Sequence, residues 1–287
     1  MNHVLADGIS TRYTMRGFGP PLLMFSPGGF DARLEKWSEL GQYARIKLIE
    51  HLSSHYTCIF FDRRETGLSG GRIERITWEN YVAQAKGLLD HLGIEKAHLI
   101  GGCLGCSSAA AFAVAHPQRS LSLTLHWPVG GARYRINSQR RFLDHLAFVR
   151  RVGMEGVVEL LSMNPTTFAA DSRGGPWASV ITSDEGFAAA FKQFNSDDYE
   201  LIILGMARLL VDSDTPPGAV AEDLMRIRVP SLVIPGDDQS HATSAARHLH
   251  ECLPDSEYWD VRPDEQTEDR VATCVLNFLE NCDARSS

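Results

Sequence analysis

An apolar strand pattern passes directly into a helical pattern at Leu99-Ile100-Gly101-Gly102-Cys103-Leu104-Gly105-Cys106. The junction has the form Gly-x-Cys-x-Gly. A strand-to-helix turn this tight forces its apex residue into strained backbone geometry and needs small neighbours, which the glycines provide. The side chain of Cys103 is therefore expected above a sheet and at the start of a helix. A helix N-terminus favours the thiolate, which is the reactive form of cysteine.

Short apolar runs alternate with longer helical patterns on both sides of this junction. A helical pattern at residues 81–92 stops at Gly93, and an Ala-rich helix is expected at residues 107–115. Asp7-Gly8 separates two alternating segments, which predicts an opening hairpin. The alternation predicts an α/β fold with a mostly parallel, doubly wound sheet. The expected strands in this half of the chain are residues 22–25, 56–61, 97–100 and 121–125.

The strand pattern is interrupted in the second half of the chain. Residues 131–220 show helical patches separated by turn clusters, and strands return only at residues 229–234 and 257–259. The simplest organisation is one α/β core, formed by residues 1–130 and 221–287, with a helical cap inserted at residues 131–220. The aromatic residues of this insertion are expected mainly to hold the cap to the core, and the remainder would line an apolar pocket.

Composition excludes several classes of function. The chain of 287 residues is 44% hydrophobic and 22% charged, as expected for a globular protein with a full core. Its formal charge of −8 disfavours binding to nucleic acid or to anionic membranes. No apolar run has the length of a membrane span and no secretory signal is visible, so a cytoplasmic location and reduced cysteines are expected. The expected partner is a small-molecule substrate, and a homodimer is left open.

Three segments in order resemble the alpha/beta hydrolase family. Gly101-Gly102-Cys103-Leu104-Gly105 is similar to its nucleophile elbow, with Cys where most members have Ser. Ser26-Pro27-Gly28-Gly29 resembles the oxyanion loop, and the segment from Asp62 to Gly70 resembles the D-x-R-x-x-G-x-S pattern. Dienelactone hydrolases and polyhydroxyalkanoate synthases are relatives that also use Cys. The resemblance covers about residues 20–130 and 225–280, and it implies that Cys103 is a nucleophile.

The resemblance also implies an oxyanion hole and an acid. One oxyanion N–H would come from Leu104, and the other from Gly28 or Gly29, because Pro27 has no N–H. The acid should follow the strand after the cap, where the chain reads Gly236-Asp237-Asp238. Asp238 is preferred over Asp237 because it lies further into the loop.

The family's histidine is missing from its usual place after the last strand, at residues 261–266. His241, on the same loop as the acid, is the first candidate for the base. His126, at the upper rim beside Trp127, is a second candidate and a possible pocket residue. A third reading needs no base, with Glu265 or Gln266 orienting a water molecule.

The favoured function is hydrolysis or acyl transfer at an activated carbonyl, such as a thioester, ester or lactone of a small apolar or aromatic substrate. The alternative is a lyase, isomerase, cyclase or small-molecule binder, because the usual histidine is absent. A redox role for the Cys-x-x-C spacing lacks a thioredoxin-like context, and dinucleotide binding lacks Gly-x-Gly-x-x-Gly. An arginine at the start of the cap could hold a carboxylate or phosphate, but none is assigned. No cofactor and no metal site are expected.

Overall fold

The computed structural model describes residues 2–213 and 215–286, which form a sheet of eight strands with helices around it. The strands are β1 (Asn2–Ala6), β2 (Ile9–Arg16), β3 (Pro21–Phe25), β4 (Thr57–Phe61), β5 (Ala97–Gly102), β6 (Ser120–His126), β7 (Ser231–Ile234) and β8 (Ser256–Tyr258). The helices are α1 (Lys36–Glu39), α2 (Gly41–Ile46), α3 (Leu48–Leu52), α4 (Trp78–His91), α5 (Gly105–Ala115), α6 (Ala132–Met163), α7 (Ala178–Ser183), α8 (Glu185–Lys192), α9 (Ser196–Val211), α10 (Ala221–Leu224), α11 (Thr243–Cys252) and α12 (Glu268–Ser286).

The strand order is β1-β2-β4-β3-β5-β6-β7-β8. Pairing is antiparallel between β1 and β2 and between β2 and β4, and parallel from β4 through β8. Because parallel strands end at the same edge of a sheet, the loops after β3, β5, β6 and β7 converge there. The predicted α/β class and the mostly parallel sheet are confirmed.

Local turn chemistry explains where several elements begin and end. Asp7 and Gly8 both have positive φ, at 52° and 69°, as a two-residue hairpin turn requires, so the predicted opening hairpin is confirmed. Gly93 has φ of 67° and ends α4, while the N–H of Ile94 donates to the carbonyl of Leu89. Helix α5 begins at Gly105, two residues earlier than the Ala-rich pattern predicts.

The chain between β6 and β7 forms the helical cap. Helix α6 packs against α7, α8 and α9, and it is interrupted at Gly153, where φ is 71° and ψ is 179°. Phe30, on the loop after β3, contacts Phe142 and Phe168 of the cap with ring centroids 5.3 and 5.2 Å apart. These aromatic contacts join the helical segment to the loop after β3. No helix in the described part of the chain is long and apolar enough to cross a membrane.

Candidate active site

The loop between β5 and α5 holds Cys103 in a strained conformation, with φ of 54°. A Cβ on Gly101 would lie 2.5 Å from the carbonyl oxygen of Gly105. A Cβ on Gly105 would lie 2.2 Å from the carbonyl oxygen of Phe25, on the neighbouring strand. Both positions therefore require glycine for steric reasons, as expected from the Gly-x-Cys-x-Gly pattern.

The Cys103 thiol is nearly enclosed, with 9% of the residue exposed. Burial alone would raise its pKa, because the thiolate loses solvation. Interaction with His241 and hydrogen bonding from the backbone N–H groups of Gly28 and Leu104 outweigh that effect. The pKa of Cys103 is consequently lowered from its ordinary value, which favours the nucleophilic form.

His241 lies between Cys103 and Asp238. Its Nδ1 is 2.8 Å from Oδ1 of Asp238. The same Oδ1 accepts hydrogen bonds from the backbone N–H groups of Ser240, at 2.8 Å, and of His241 itself, at 2.9 Å. The carboxylate therefore places a proton on Nδ1 and leaves Nε2 for Cys103. Nε2 is buried and has no well-aligned hydrogen-bond partner among the described residues.

The charges of these three side chains reinforce one another. Burial would lower the pKa of His241, but Asp238 and Cys103 raise it to about 10. The hydrogen bond from His241 is the main cause that lowers the pKa of Asp238, to about 2. These shifts all act in the same direction: each favours the charged form, the thiolate of Cys103, the imidazolium of His241 and the carboxylate of Asp238. Such an ion pair keeps a nucleophile and a proton donor side by side.

His241 can take this position only because residue 236 is glycine. A Cβ there would lie 2.6 Å from the Cβ of His241 and 3.1 Å from the ring of Trp127. The indole of Trp127 and the imidazole of His241 are tilted against each other, with centroids 5.5 Å apart. His241 also forms an isolated parallel bridge with Gly130, at the start of the cap. Asp237 is exposed on the same turn, and His241 pairs with Asp238 instead.

The loop after β3 lies against Cys103. Gly28 has φ of 110°, and a Cβ there would come within 2.5 Å of the carbonyl oxygen of Asp31. The N–H groups of Gly28 and Leu104 both interact with the sulfur, so the expected pair of oxyanion donors is Gly28 with Leu104. Gly29, the other candidate, also has positive φ, at 61°.

Gln266 occupies the segment where the family places its histidine, and its side chain is fully buried. Its Oε1 accepts a hydrogen bond from Nε1 of Trp127 at 2.7 Å. Its Nε2 donates to the carbonyls of Pro235 at 2.8 Å and Val261 at 2.9 Å. Both amide hydrogens are thus used within the protein, so Gln266 holds the loops together and does not orient a water.

Glu265 points away from the site and pairs with Arg270 at 3.3 Å.

His126 is fully buried, and burial together with the charge of His241 lowers its pKa to about 3. A group this weakly basic stays neutral at physiological pH and is a poor general base. Its carbonyl oxygen, rather than its ring, contacts Cys103, accepting the Cys103 N–H at 3.2 Å. Trp127 has a φ of 56°, and its ring lies at the rim of the site, in contact with the rings of His126 and His241.

Cys106 packs beneath the turn. Its Sγ donates to the carbonyls of Gly101 at 3.1 Å and His126 at 3.4 Å, and burial raises its pKa well above the ordinary value. The two cysteines of this Cys-x-x-Cys sequence therefore differ: the pKa of Cys103 is lowered, which favours its reactive form, whereas the raised pKa of Cys106 keeps that thiol inert.

Two residues near Cys103 were not singled out from the sequence. Tyr134, on the first turn of α6, is buried, and burial and the nearby Cys103 raise its pKa. Arg63, in the segment after β4, is also buried and affects the same tyrosine. Arg63 lies within the segment that resembles the D-x-R-x-x-G-x-S pattern, and this place in the sequence could have identified it. No sequence pattern indicates Tyr134. Within residues 2–213 and 215–286, no cluster of three or more His, Cys, Asp or Glu side chains could hold a metal ion.

Comparison with known proteins gives one family. A sequence profile of the alpha/beta hydrolase fold matches residues 21–152. A putative carbamate hydrolase, RutD of a Caulobacter species (strain K31), is 27% identical over 245 residues, covering 80% of this chain and 83% of that protein. A dihydrolipoyllysine-residue acetyltransferase component of the acetoin cleaving system of Cupriavidus necator is 33% identical over 124 residues. That match covers 43% of this chain but only 31% of the acetyltransferase component.

Solved structures agree on the fold. The enol-lactonase from Burkholderia xenovorans LB400 has a TM-score of 0.61 and is 19% identical, with 97% of this chain and 100% of that chain covered. The profile match, the sheet order and the strained turn at Cys103 all agree with the alpha/beta hydrolase fold. The chain has the alpha/beta hydrolase fold, and residues 21–152 match the model of that family.

Proposed function

We propose that the protein is a hydrolase or acyl transferase that acts on an activated carbonyl, such as a thioester, ester or lactone, through Cys103. The observation that carries the proposal is the contact of Cys103 with His241, which is itself held by Asp238 at 2.8 Å. Relatives named as a carbamate hydrolase and an acetyltransferase component support this class of chemistry. The buried aromatic residues of the cap favour a small apolar or aromatic substrate.

The reaction has two steps. The thiolate of Cys103 attacks the carbonyl carbon, a C–S bond forms, and the N–H groups of Gly28 and Leu104 stabilise the oxyanion. The carbonyl reforms as the bond to the leaving group breaks, and the leaving group takes the Nε2 proton of His241. Neutral His241 then removes a proton from water or from an acceptor alcohol or thiol. That nucleophile attacks the acyl-enzyme, the thiolate of Cys103 leaves, and the imidazolium is restored.

The alternative of a lyase, isomerase, cyclase or binder depended on the absence of a histidine near Cys103. The interaction between His241 and Cys103 removes that argument. His241 reaches the site from the loop after β7, and its hydrogen bond to Asp238 supplies the orientation that the third member of such a triad provides.

Intact-mass spectrometry tests the proposal. Wild type and Cys103→Ala are exposed to a panel of aryl esters and acyl thioesters. We expect an acyl adduct on the wild type that decays as product is released, and none on Cys103→Ala. Turnover by Cys103→Ala at the wild-type rate, or the lack of both adduct and turnover in the wild type across the panel, would refute the proposal.

A further inference from the structure

Arg63 carries a buried positive charge for which the described chain provides no counter-ion in contact. The residue is 8% exposed, its Nε is buried without a hydrogen-bond partner, and no carboxylate forms a salt bridge with its guanidinium within residues 2–213 and 215–286. Its guanidinium carbon lies 4.7 Å from the ring centre of Tyr81. A ring face offsets only part of the cost of removing a guanidinium from water.

The two nearest carboxylates along the chain, those of Asp62 and Glu65, are already engaged. Asp62 pairs with Arg12 at 2.9 Å. Glu65 pairs with Arg64 at 2.8 Å, and Arg64 also bonds to Glu74 at 2.5 Å. Arg64 thus pairs with both Glu65 and Glu74, whereas Arg63 acts on Glu65 only through its charge, which opposes the rise that burial causes in the pKa of that carboxyl. Buried charges in proteins are generally paired, so the guanidinium of Arg63 lacks the partner that its burial calls for.

Other unpartnered donors surround the same space. Arg63 and Ser108 line one small cavity beside the Cys103 turn, together with Ser26 and Gly105. The hydroxyl of Ser108 is buried and has no hydrogen-bond partner. Arg63 also borders a second cavity, beneath the cap, so it separates two empty spaces.

The hydroxyl of Tyr134 adds a third donor. It too is buried without an aligned hydrogen-bond partner. The pKa of Tyr134 is raised first by burial and then by Cys103, while an interaction with Ser138 and the charge of Arg63 oppose the rise. Tyr134 lies on α6, within electrostatic reach of both Cys103 and Arg63.

We propose that Arg63, with the hydroxyl groups of Ser108 and Tyr134, binds a carboxylate carried by the acyl group of the substrate. This inference rests on the proposed function and narrows it to esters, thioesters or lactones whose acyl part is anionic. The planar fork of a guanidinium matches a carboxylate, and hydroxyl groups complete the hydrogen bonding of its oxygens. Arg141, at the start of the cap, is already engaged, because it donates to the carbonyls of Phe168 and Ala169.

The cavity beside Cys103 has room for no more than about one water molecule, so the described state is closed. A carboxylate is larger than one water molecule, so its binding between Arg63 and Ser108 requires the cavity to widen.

A matched pair of esters tests the inference. The 4-nitrophenyl monoester of glutaric acid and 4-nitrophenyl pentanoate have acyl chains of equal length, one ending in a carboxylate and the other in a methyl group. We expect the wild type to prefer the glutarate ester in kcat/KM by about tenfold or more. Arg63→Gln should lose roughly 10- to 100-fold on the glutarate ester and far less on the pentanoate, so the preference disappears.

Control variants separate specificity from folding. Arg140→Gln removes a charge from an exposed position of α6 and should leave the preference unchanged. Ser108→Ala and Tyr134→Phe remove only hydroxyl groups, and each should reduce the preference by about 3- to 10-fold, which keeps the test valid if Arg63→Gln does not fold. Equal losses on both esters, or a wild-type preference for pentanoate, would overturn the carboxylate site.

Calorimetry distinguishes failure of this inference from failure of the proposed function. Monomethyl glutarate is titrated into Cys103→Ala and into Cys103→Ala/Arg63→Gln. Arg63-dependent binding without turnover of either ester by the wild type would reject the hydrolase and retain the carboxylate site. Turnover through Cys103 without an Arg63-dependent preference or binding would do the reverse.

Discussion

The loops after β7 and β8 lie at the same edge of the sheet but carry different chemistry. The β7 loop supplies both Asp238 and His241, three residues apart and joined at 2.8 Å. The β8 loop, where the family usually places its histidine, supplies Gln266, whose hydrogen bonds end on Trp127 and Pro235. In the proposed mechanism the β7 loop supplies both the acid and the base, and the β8 loop supports it. That mechanism requires an imidazole beside Cys103, whichever strand delivers it.

Removal of the imidazole should have the largest effect on this arrangement. We expect His241→Ala to lower kcat/KM on the aryl esters by roughly 10²- to 10⁴-fold, because the proton donor and the main partner of the thiolate are both lost. Steady-state kinetics at constant pH measures the loss. Ser240→Ala is a suitable control, since Ser240 contacts Asp238 through its backbone N–H, which the variant keeps. A loss below about threefold in His241→Ala would show that another group supplies the base.

Neutralising the acid should have the next largest effect. Asp238→Asn keeps the size of the side chain but removes the charge that orients His241, and we expect kcat/KM to fall by roughly 10- to 10³-fold. The pKa of His241 should fall too, because Asp238 is a main cause of its elevation. NMR titration of the imidazole would measure that change. The control Asp237→Asn should alter neither value, and equal effects of the two variants would contradict the assignment of Asp238.

A methyl group at Gly236 should disturb the imidazole without removing it. The added Cβ would lie 2.6 Å from the Cβ of His241, so Gly236→Ala should shift the ring and reduce kcat/KM by about 10-fold or more. Thermal unfolding measured in parallel would separate displacement from loss of fold. Wild-type activity in a folded Gly236→Ala protein would mean that the position of His241 is not critical.

The supporting loop should affect stability more than chemistry. Gln266→Ala leaves the buried N–H of Trp127 and two carbonyls without their partners, so the free energy of unfolding should fall by roughly 2–3 kcal/mol. Its neighbour Glu265 is exposed, and Glu265→Gln should change stability by less than about 0.5 kcal/mol. Denaturant unfolding measures both. Stability unchanged by Gln266→Ala would contradict its role as the support of the β7 loop.

The parts of the fold and site that the sequence predicted are mostly local. Glycine on both sides of Cys103 follows from contacts within one turn and its neighbouring strand, and Asp238 and His241 bond across three residues of one loop. Arg63 and Tyr134 come from segments about seventy residues apart that meet only when the cap packs on the core. The electrostatic interaction between Arg63 and Tyr134 depends on tertiary packing, which a short sequence pattern cannot predict. The buried bonds of Gln266 likewise join three loops and could not be read from one.

The central claim is that His241 activates Cys103, and the pH dependence of thiol alkylation tests it most directly. Iodoacetamide labelling of Cys103 is followed by peptide mass spectrometry, with fragment ions that separate it from Cys106. In the wild type the lowered pKa of Cys103 should place the midpoint of the rate profile below pH 9, the ordinary pKa of the thiol. In His241→Ala burial remains while its main opposing interaction is lost, so the midpoint should move to higher pH. Identical profiles for the two proteins would contradict the account.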